Sequence, residues 1–295
     1  MDSMPDHLSL PDGRRLDTRV SGPADGLPLV FHHGTPGSAV PERFIERAAH
    51  ERGLRVVATS RPGYGDSTPQ VGRSVVDVVA DTSAVLAAIG ASRCVVAGWS
   101  GGGPHALACA ARLQEAAAVL VIAGVAPHGV ADLDWASGMG EYNVSYYEAY
   151  LKGEESARAV DEELREEALN ATTADIVSYL ATVLPEVDEA VLTDEFAEDT
   201  LADLREALRV GIQGSLDDNY AFLKPWGFEL SEISVPTMIW HGSADLMVPF
   251  AHGEWLAAHV PGASAHLVQG EGHLSLPVRA IDRMLDELIT ASSDS

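Results

Sequence analysis

Ser100 has the strongest sequence context for nucleophilic chemistry in this chain. It stands in the pattern Gly98-Trp99-Ser100-Gly101-Gly102, directly after an apolar run at 93–97 and before an alanine-rich helical stretch at 104–113. A serine at such a strand-to-helix turn presents its hydroxyl away from the backbone, with the amides of the helix behind it. Gly98 and Gly102 lack a Cβ and so allow the close backbone approach that the turn needs. The pattern predicts a nucleophile; the alternative is a glycine-rich helix start whose serine only caps the helix.

A serine nucleophile needs a base, and the base needs an acid to orient it. His273 lies in a glycine-rich loop after the last predicted strand, and Asp245 follows the predicted strand before it. Parallel strands present their C-terminal ends at one edge of the sheet, so these positions predict that Ser100, Asp245 and His273 meet there. Each has an alternative role, because a loop histidine can simply bond to backbone and Asp245 can cap the following helix.

The transition state of acyl transfer also carries an oxyanion, which two backbone N–H groups must face. One is expected at Gly101. The other is expected in the loop after an earlier strand, where Pro36 has no N–H, so Thr35 is the predicted donor, with its hydroxyl as an added aid. Gly34 allows the unusual backbone angle of this loop. We expect His33 to support the loop through hydrogen bonds rather than to act in catalysis or metal binding.

The remaining elements form a scaffold for these groups. Uninterrupted Val, Ile and Leu runs alternate with helical segments in the first part of the chain, which is typical of a parallel sheet covered on both faces. The pattern then becomes almost wholly helical, and buried-strand character returns at 236–240 and 265–268. We therefore predict an α/β core over residues 1–126 and 216–295, interrupted by a helical lid or cap insertion at 127–215.

Charge limits the classes of partner. The net charge of the 295-residue chain is −25, which argues against nucleic-acid binding. Much of this charge lies at 127–225, which holds 23 acidic and 6 basic residues. A solvated helical surface accounts for this composition, and an acidic lid that attracts a cationic substrate is the alternative.

Composition also bears on cofactors and compartment. Cys94 and Cys109 fit buried positions on a strand and a helix, and neither a disulfide framework nor metal-ligand spacing is present, so we predict no metal and no cofactor. The segment from Met1 to Leu10 lacks a signal-peptide pattern, and no apolar stretch is long enough to cross a bilayer. We expect a cytoplasmic protein without a membrane partner, as a monomer or a dimer.

Five motifs in this order resemble those of the α/β-hydrolase superfamily. They are His33-Gly34-Thr35-Pro36-Gly37, Arg61-Pro62-Gly63-Tyr64-Gly65-Asp66-Ser67, Gly98-Trp99-Ser100-Gly101-Gly102, His241-Gly242-Ser243-Ala244-Asp245 and Gly272-His273. The resemblance runs from about Leu27 to Ile289, except for the insertion. It implies an α/β fold with an eight-stranded, mostly parallel sheet, helices on both faces and an inserted helical lid after strand six. It also implies Ser100, Asp245 and His273 as the triad, without a cofactor.

The substrate stays open at this point. Haloalkane dehalogenases and epoxide hydrolases place an aspartate where this chain has Ser100. The His-Gly-x-Pro-Gly loop and the lid resemble proline iminopeptidases, although those usually carry Gly-Gly-Ser-Trp-Gly at the nucleophile. Their lid acids bind the free amine of the substrate, and Glu141 or Glu148 are examples of acids that this insertion offers.

We expect a small-molecule ester or amide substrate, with cleavage of a small carboxylic ester through an acyl-enzyme as the main hypothesis. The alternatives are an N-terminal aminopeptidase of the iminopeptidase kind and a non-catalytic small-molecule receptor. The candidate substrate-pocket residues are the lid aromatics Trp135, Tyr142 and Tyr146, which suit either an acyl pocket or the core of the lid. Trp99 is expected to pack beneath the turn at Ser100.

Overall fold

A computed structural model describes residues 6–293, apart from the side chains of residues 179 and 181–183, and shows an eight-stranded sheet in this range. The strands are β1 (His7–Ser9), β2 (Arg15–Ser21), β3 (Leu27–His32), β4 (Leu54–Thr59), β5 (Cys94–Trp99), β6 (Ala116–Ile122), β7 (Thr237–Gly242) and β8 (Ser264–Val268). Their order is β1-β2-β4-β3-β5-β6-β7-β8. Pairing is antiparallel from β1 through β2 to β4 and parallel across the rest. The predicted eight-stranded, mostly parallel sheet is confirmed.

Eleven α-helices lie within the described range. They are α1 (Arg43–Glu51), α2 (Val78–Ala88), α3 (Gly102–Arg112), α4 (Glu141–Lys152), α5 (Glu154–Asn170), α6 (Thr173–Val183), α7 (Glu186–Glu189), α8 (Asp194–Leu208), α9 (Gln213–Phe222), α10 (Phe250–His259) and α11 (Ser275–Ser293). Short 3₁₀ turns lie at Val75–Asp77 and Leu230–Glu232.

The sheet is buried on both faces, which explains why its central strands are continuously apolar. Side chains alternate between the faces, so Val96 of β5 packs in one hydrophobic cluster and Val95 in the other. The first cluster includes residues of α2 and α3, and the second includes residues of α1 and α11. The two layers of helices therefore hold the strand ends, and the loops that follow them, in fixed positions.

Helices α4 to α9 all fall between β6 and β7, where the sequence predicted an insertion, and we refer to them as the cap. The predicted boundary at residue 215 falls inside α9, which ends at Phe222. The division into core and cap otherwise stays a prediction, and residues 1–5 and 294–295 of the predicted core lie outside the described residues.

Two simpler features complete the fold. In the described part of the chain, none of the helices combines the length and the apolarity that a membrane crossing requires. Cys94 and Cys109 are both buried as free thiols.

Candidate active site

Ser100 lies on the sharp turn that joins β5 to α3. Its φ angle is +57°, in the left-handed region that non-glycine residues seldom adopt. A Cβ on Gly98 would overlap the carbonyl oxygen of Gly102, and a Cβ on Gly102 would overlap that of His32. The turn thus has room for a side chain at position 100 but not at the two glycines, as the sequence pattern predicted.

His273 and Asp245 meet beside this turn. Nδ1 of His273 lies 2.7 Å from Oδ2 of Asp245, and both side chains are buried. The other carboxylate oxygen, Oδ1, accepts the N–H groups of Met247 and Val248 at 2.8 Å each. Asp245 does not cap α10, whose N-cap is Pro249 without a side-chain bond; one oxygen of Asp245 instead holds the loop before that helix, and the other bonds to the imidazole. The imidazole also stacks on Trp99, with ring centroids 5.8 Å apart.

The pKa of His273 is shifted in the opposite direction to that of His33, another buried histidine. Burial disfavours its imidazolium form, but the Asp245 carboxylate outweighs this effect and raises the pKa of His273 above its ordinary value. Burial, reinforced by the Arg61 charge, instead holds the pKa of His33 well below its usual range. Of these two histidines, His273 has the surroundings of a proton acceptor and His33 those of a neutral structural residue.

His33 supports the loop of residues 33–37 directly. Its Nε2 accepts the N–H of Arg61 at 3.1 Å, so the neutral ring carries its proton on Nδ1 and donates to the carbonyl of Gly34 at 2.7 Å. The Arg61 guanidinium donates to the carbonyls of His33 and Gly34, each at 2.6 Å. The backbone of this loop is therefore held at two consecutive carbonyls, those of His33 and Gly34.

The Thr35 hydroxyl does not assist in the way that the sequence suggested. It accepts from Arg61 at 3.0 Å and donates to Oδ2 of Asp218 at 3.0 Å, so its proton is committed to that carboxylate. The backbone N–H groups are the remaining candidates for an oxyanion. Across residues 6–293, the backbone hydrogen bonds of turns and loops include none from the N–H of Thr35 or Gly101.

A cavity of about 220 Å³ brings these groups together. Core residues on its wall include Thr35, Ser100 and His273, and apolar cap residues include Leu204 and Phe196. Pro36, Gly34 and Trp99 line it as well. The cavity is mostly apolar, and its polar lining groups come from both the core and the cap, as is usual for a small-molecule site.

A family model described as the alpha/beta hydrolase fold matches residues 28–280. The chain belongs to this family. Over 310 residues the hydrolase is 30% identical to a proline iminopeptidase from Neisseria meningitidis serogroup A, covering 98% of this chain and 94% of that one. Among solved structures, it is similar to a bromoperoxidase from Bacillus anthracis (TM-score 0.66, 21% identity, 96% of each chain). An esterase from Exiguobacterium antarcticum is also similar (TM-score 0.64, 17% identity, 98% of this chain and 100% of that one).

These findings confirm the resemblance inferred from the motifs and make the chain an enzyme of the hydrolase class. The receptor alternative is therefore set aside.

One predicted pocket residue of the hydrolase lies elsewhere. Tyr142 and Tyr146 line the cavity, but Trp135 does not. Trp135 is buried against Val125 and Val248, and its indole N–H donates to the carbonyl of Ala126 at 2.8 Å. It belongs to the packing between cap and core, because its ring and its donor both find partners there.

The acids that reach the cavity of the hydrolase are also not those that the sequence offered. Glu141 and Glu148 are exposed, and Glu148 pairs with Lys152. Glu42 and Asp203 line the cavity instead. Burial and the nearby charge of Asp203 raise the pKa of Glu42 to about 8. Burial raises the pKa of Asp203 to about 7. Neither forms an ion pair with a residue that the structure describes.

Sequence reasoning also missed Asp218 of α9, which lies behind the Thr35 loop. It is fully buried, and Arg61, Arg73 and Tyr64 all donate to its carboxylate. Burial favours the neutral acid, but the two guanidinium groups outweigh it and hold the pKa of Asp218 well below its usual range. Arg61 begins the second of the five sequence motifs, whereas no local sequence signal distinguished Asp218 from the other acidic residues of the cap.

Proposed function

We propose that this protein is a serine hydrolase that cleaves a small carboxylic ester through an acyl-enzyme on Ser100. The observation that carries the proposal is the Asp245–His273 pair at 2.7 Å, because His273 of this pair lines the same cavity as Ser100. Nucleophilic acyl transfer needs a base that an acid orients, close to a serine hydroxyl, and the shared cavity supports this assignment.

The reaction follows from these positions. Oγ of Ser100 attacks the ester carbonyl carbon while His273 takes the hydroxyl proton, and the N–H groups of Thr35 and Gly101 stabilise the oxyanion. The proton then passes from His273 to the leaving alcohol as the ester C–O bond breaks. Water, deprotonated by His273, attacks the acyl carbon; as the bond between that carbon and Oγ breaks, His273 returns the proton to Ser100 and the acid leaves. Asp245 stabilises the imidazolium in both steps.

A second candidate function is an N-terminal aminopeptidase. Glu42 and Asp203 favour it, because two carboxyl groups without a cationic partner in the cavity suit the ammonium group of an aminoacyl substrate. The likeness to a proline iminopeptidase over almost the whole chain points the same way.

A panel of substrates separates the two candidates. We would compare p-nitrophenyl esters of short acids with proline and alanine β-naphthylamides, each amide with and without an N-acetyl group. Turnover of the esters, lost in Ser100→Ala, supports the ester hydrolase. Preference for amides with a free amine, again lost in Ser100→Ala, would overturn the ester proposal and support the aminopeptidase. Turnover that survives Ser100→Ala would overturn both.

The pH dependence gives a further expectation. Because Asp245 raises the pKa of His273 above its ordinary value, activity should fall as the pH drops through that raised pKa. The acidic limb of kcat/KM is therefore expected above pH ~6.5, the unperturbed histidine value. A limb well below that value would show that another group titrates.

A further inference from the structure

The geometry points to Asp188, a cap residue, as a positioning residue for His273. The inference rests on the proposed function, since it concerns how the base of that reaction is held. Asp188 lies in α7 and is fully buried. Asp188 does not itself line the cavity, so it acts only through the segment that carries the imidazole.

The carboxylate of Asp188 holds three consecutive backbone N–H groups. Oδ2 accepts the N–H of His273 at 2.8 Å, and Oδ1 accepts those of Leu274 and Ser275 at 3.1 and 2.8 Å. Helix α11 starts at Ser275, so the N–H of Ser275 is a donor that the helix itself leaves without a partner, and the other two lie directly before it. A residue some 85 positions earlier in the chain thus does what a local capping side chain usually does.

The carboxylate of Asp188 lies very close to the backbone of Gly272, the residue before His273. A Cβ on Gly272 would overlap both carboxylate oxygens of Asp188, so any side chain there would displace the carboxylate. The core also contributes to this segment, because the Ser275 hydroxyl accepts the N–H of Gly272 at 2.8 Å. The N–H of His273 itself, however, is held by the cap.

Asp188 also adds to the negative charge around the imidazole. Asp245 bonds to Nδ1, and His241 of β7 lies 3.6 Å from the same carboxylate oxygen. The charge of Asp188 acts in the same direction as that of Asp245 and favours the imidazolium form. Glu42 and Asp203 line the cavity that His273 faces. Removal of the Asp188 charge should therefore lower the pKa of His273 as well as loosen its backbone.

The test compares Asp188→Asn with Glu189→Gln. Both remove one negative charge from α7, but Glu189 is exposed and accepts no bond from the His273 segment. Two readouts are taken: the titration of the His273 imidazole by NMR, assigned by its loss in His273→Ala, and kcat and KM for a p-nitrophenyl ester. For Asp188→Asn we expect a lower His273 pKa and a kcat reduced about tenfold, the effect of weakening one charged hydrogen bond, with KM little changed. Glu189→Gln should leave both close to wild type.

The results of these variants support or overturn the positioning role of Asp188. An unchanged His273 titration in a folded Asp188→Asn protein would overturn the inference, and so would equal effects from Glu189→Gln. Loss of the fold in Asp188→Asn alone would show that Asp188 serves folding, and would overturn it too. In Gly272→Ala the added methyl group would displace the carboxylate of Asp188 without changing Asp188 itself. This variant should reproduce the fall in kcat. A shifted titration without any ester turnover in wild type would leave Asp188 in its role and instead refute the proposed ester hydrolysis.

Discussion

The acid behind the Thr35 loop and the two acids on the wall of the cavity have pKa values shifted in opposite directions. Asp218 lies between Arg61 and Arg73, and its pKa is held well below the usual range. Glu42 and Asp203 have no such partners, and burial raises their pKa values to about 8 and about 7. The same kind of side chain thus has a lowered pKa behind the loop and a raised pKa on the cavity wall.

The opposite pKa shifts indicate what each set of acids is suited to do. Asp218 ties α9 of the cap to the core through Thr35 and Arg61, and a permanent charge serves that purpose. The Glu42–Asp203 pair faces open space instead, and a ligand cation there would shift both acids toward ionisation. The presence or absence of arginine counter-ions, and not burial alone, therefore decides whether the pKa of the acid is lowered or raised.

The largest expected effect comes from Asp218→Ala. It leaves the buried guanidinium groups of Arg61 and Arg73 without their counter-charge, and loss of one partner from a buried ion pair costs about 3–5 kcal/mol. Urea unfolding measures the change. Asp217→Ala is the matched control on the same helix, because within residues 6–293 Asp217 accepts from the N–H of Gly72 and the side chain of Gln213 and forms no ion pair with an arginine. Equal losses in the two variants would contradict the assigned role of the arginines.

A smaller effect, of opposite sign, is expected from Glu42→Gln. In wild type the unfolded chain ionises Glu42 above its ordinary pKa of 4.5, while the folded protein keeps it neutral up to about 8. Stability from this group is therefore lost as the pH rises through that interval. Glutamine does not titrate, so the stability of the variant relative to wild type should rise by about 3 kcal/mol between about pH 5 and about pH 8, since each pH unit between the two pKa values contributes ~1.4 kcal/mol. Unfolding in urea at both pH values tests this, and a gain that is the same at both would refute the raised pKa.

Asp203→Asn should have the smallest effect. Its Oδ1 accepts from the N–H and the hydroxyl of Ser38, at 2.7 and 2.6 Å, and an asparagine oxygen can accept both. Below the raised pKa of about 7 the change replaces one neutral group with another, so stability should stay within about 1 kcal/mol of wild type. The same unfolding series measures it. A loss as large as that of Asp218→Ala would mean that Asp203 is charged and paired.

The sequence predicted the sheet and the loops at its edge because local patterns determine them. Apolar runs mark β5, β6 and β7, and the glycines around Ser100 mark a turn that only they permit. Loops that follow parallel strands must share one edge, and that topological rule brought Asp245 and His273 together.

The cap was less predictable, because amphipathic helices do not reveal which neighbour they face. Asp188, Asp203 and Asp218 are three of 23 acidic residues at 127–225, and their partners lie far away in the chain. The aromatic residues of the cap gave a similar difficulty. Tyr146 and Trp135 look alike in sequence, yet packing places one on the cavity and the other between cap and core.

The nucleophilic role of Ser100 is tested most directly by the mass of the intact protein after reaction with a fluorophosphonate, followed by peptide mapping. We expect one adduct per chain, on the peptide that contains Ser100, absent in Ser100→Ala and formed on the order of 10³-fold more slowly in His273→Ala. An adduct on another residue, or equal labelling of Ser100→Ala, would contradict the account.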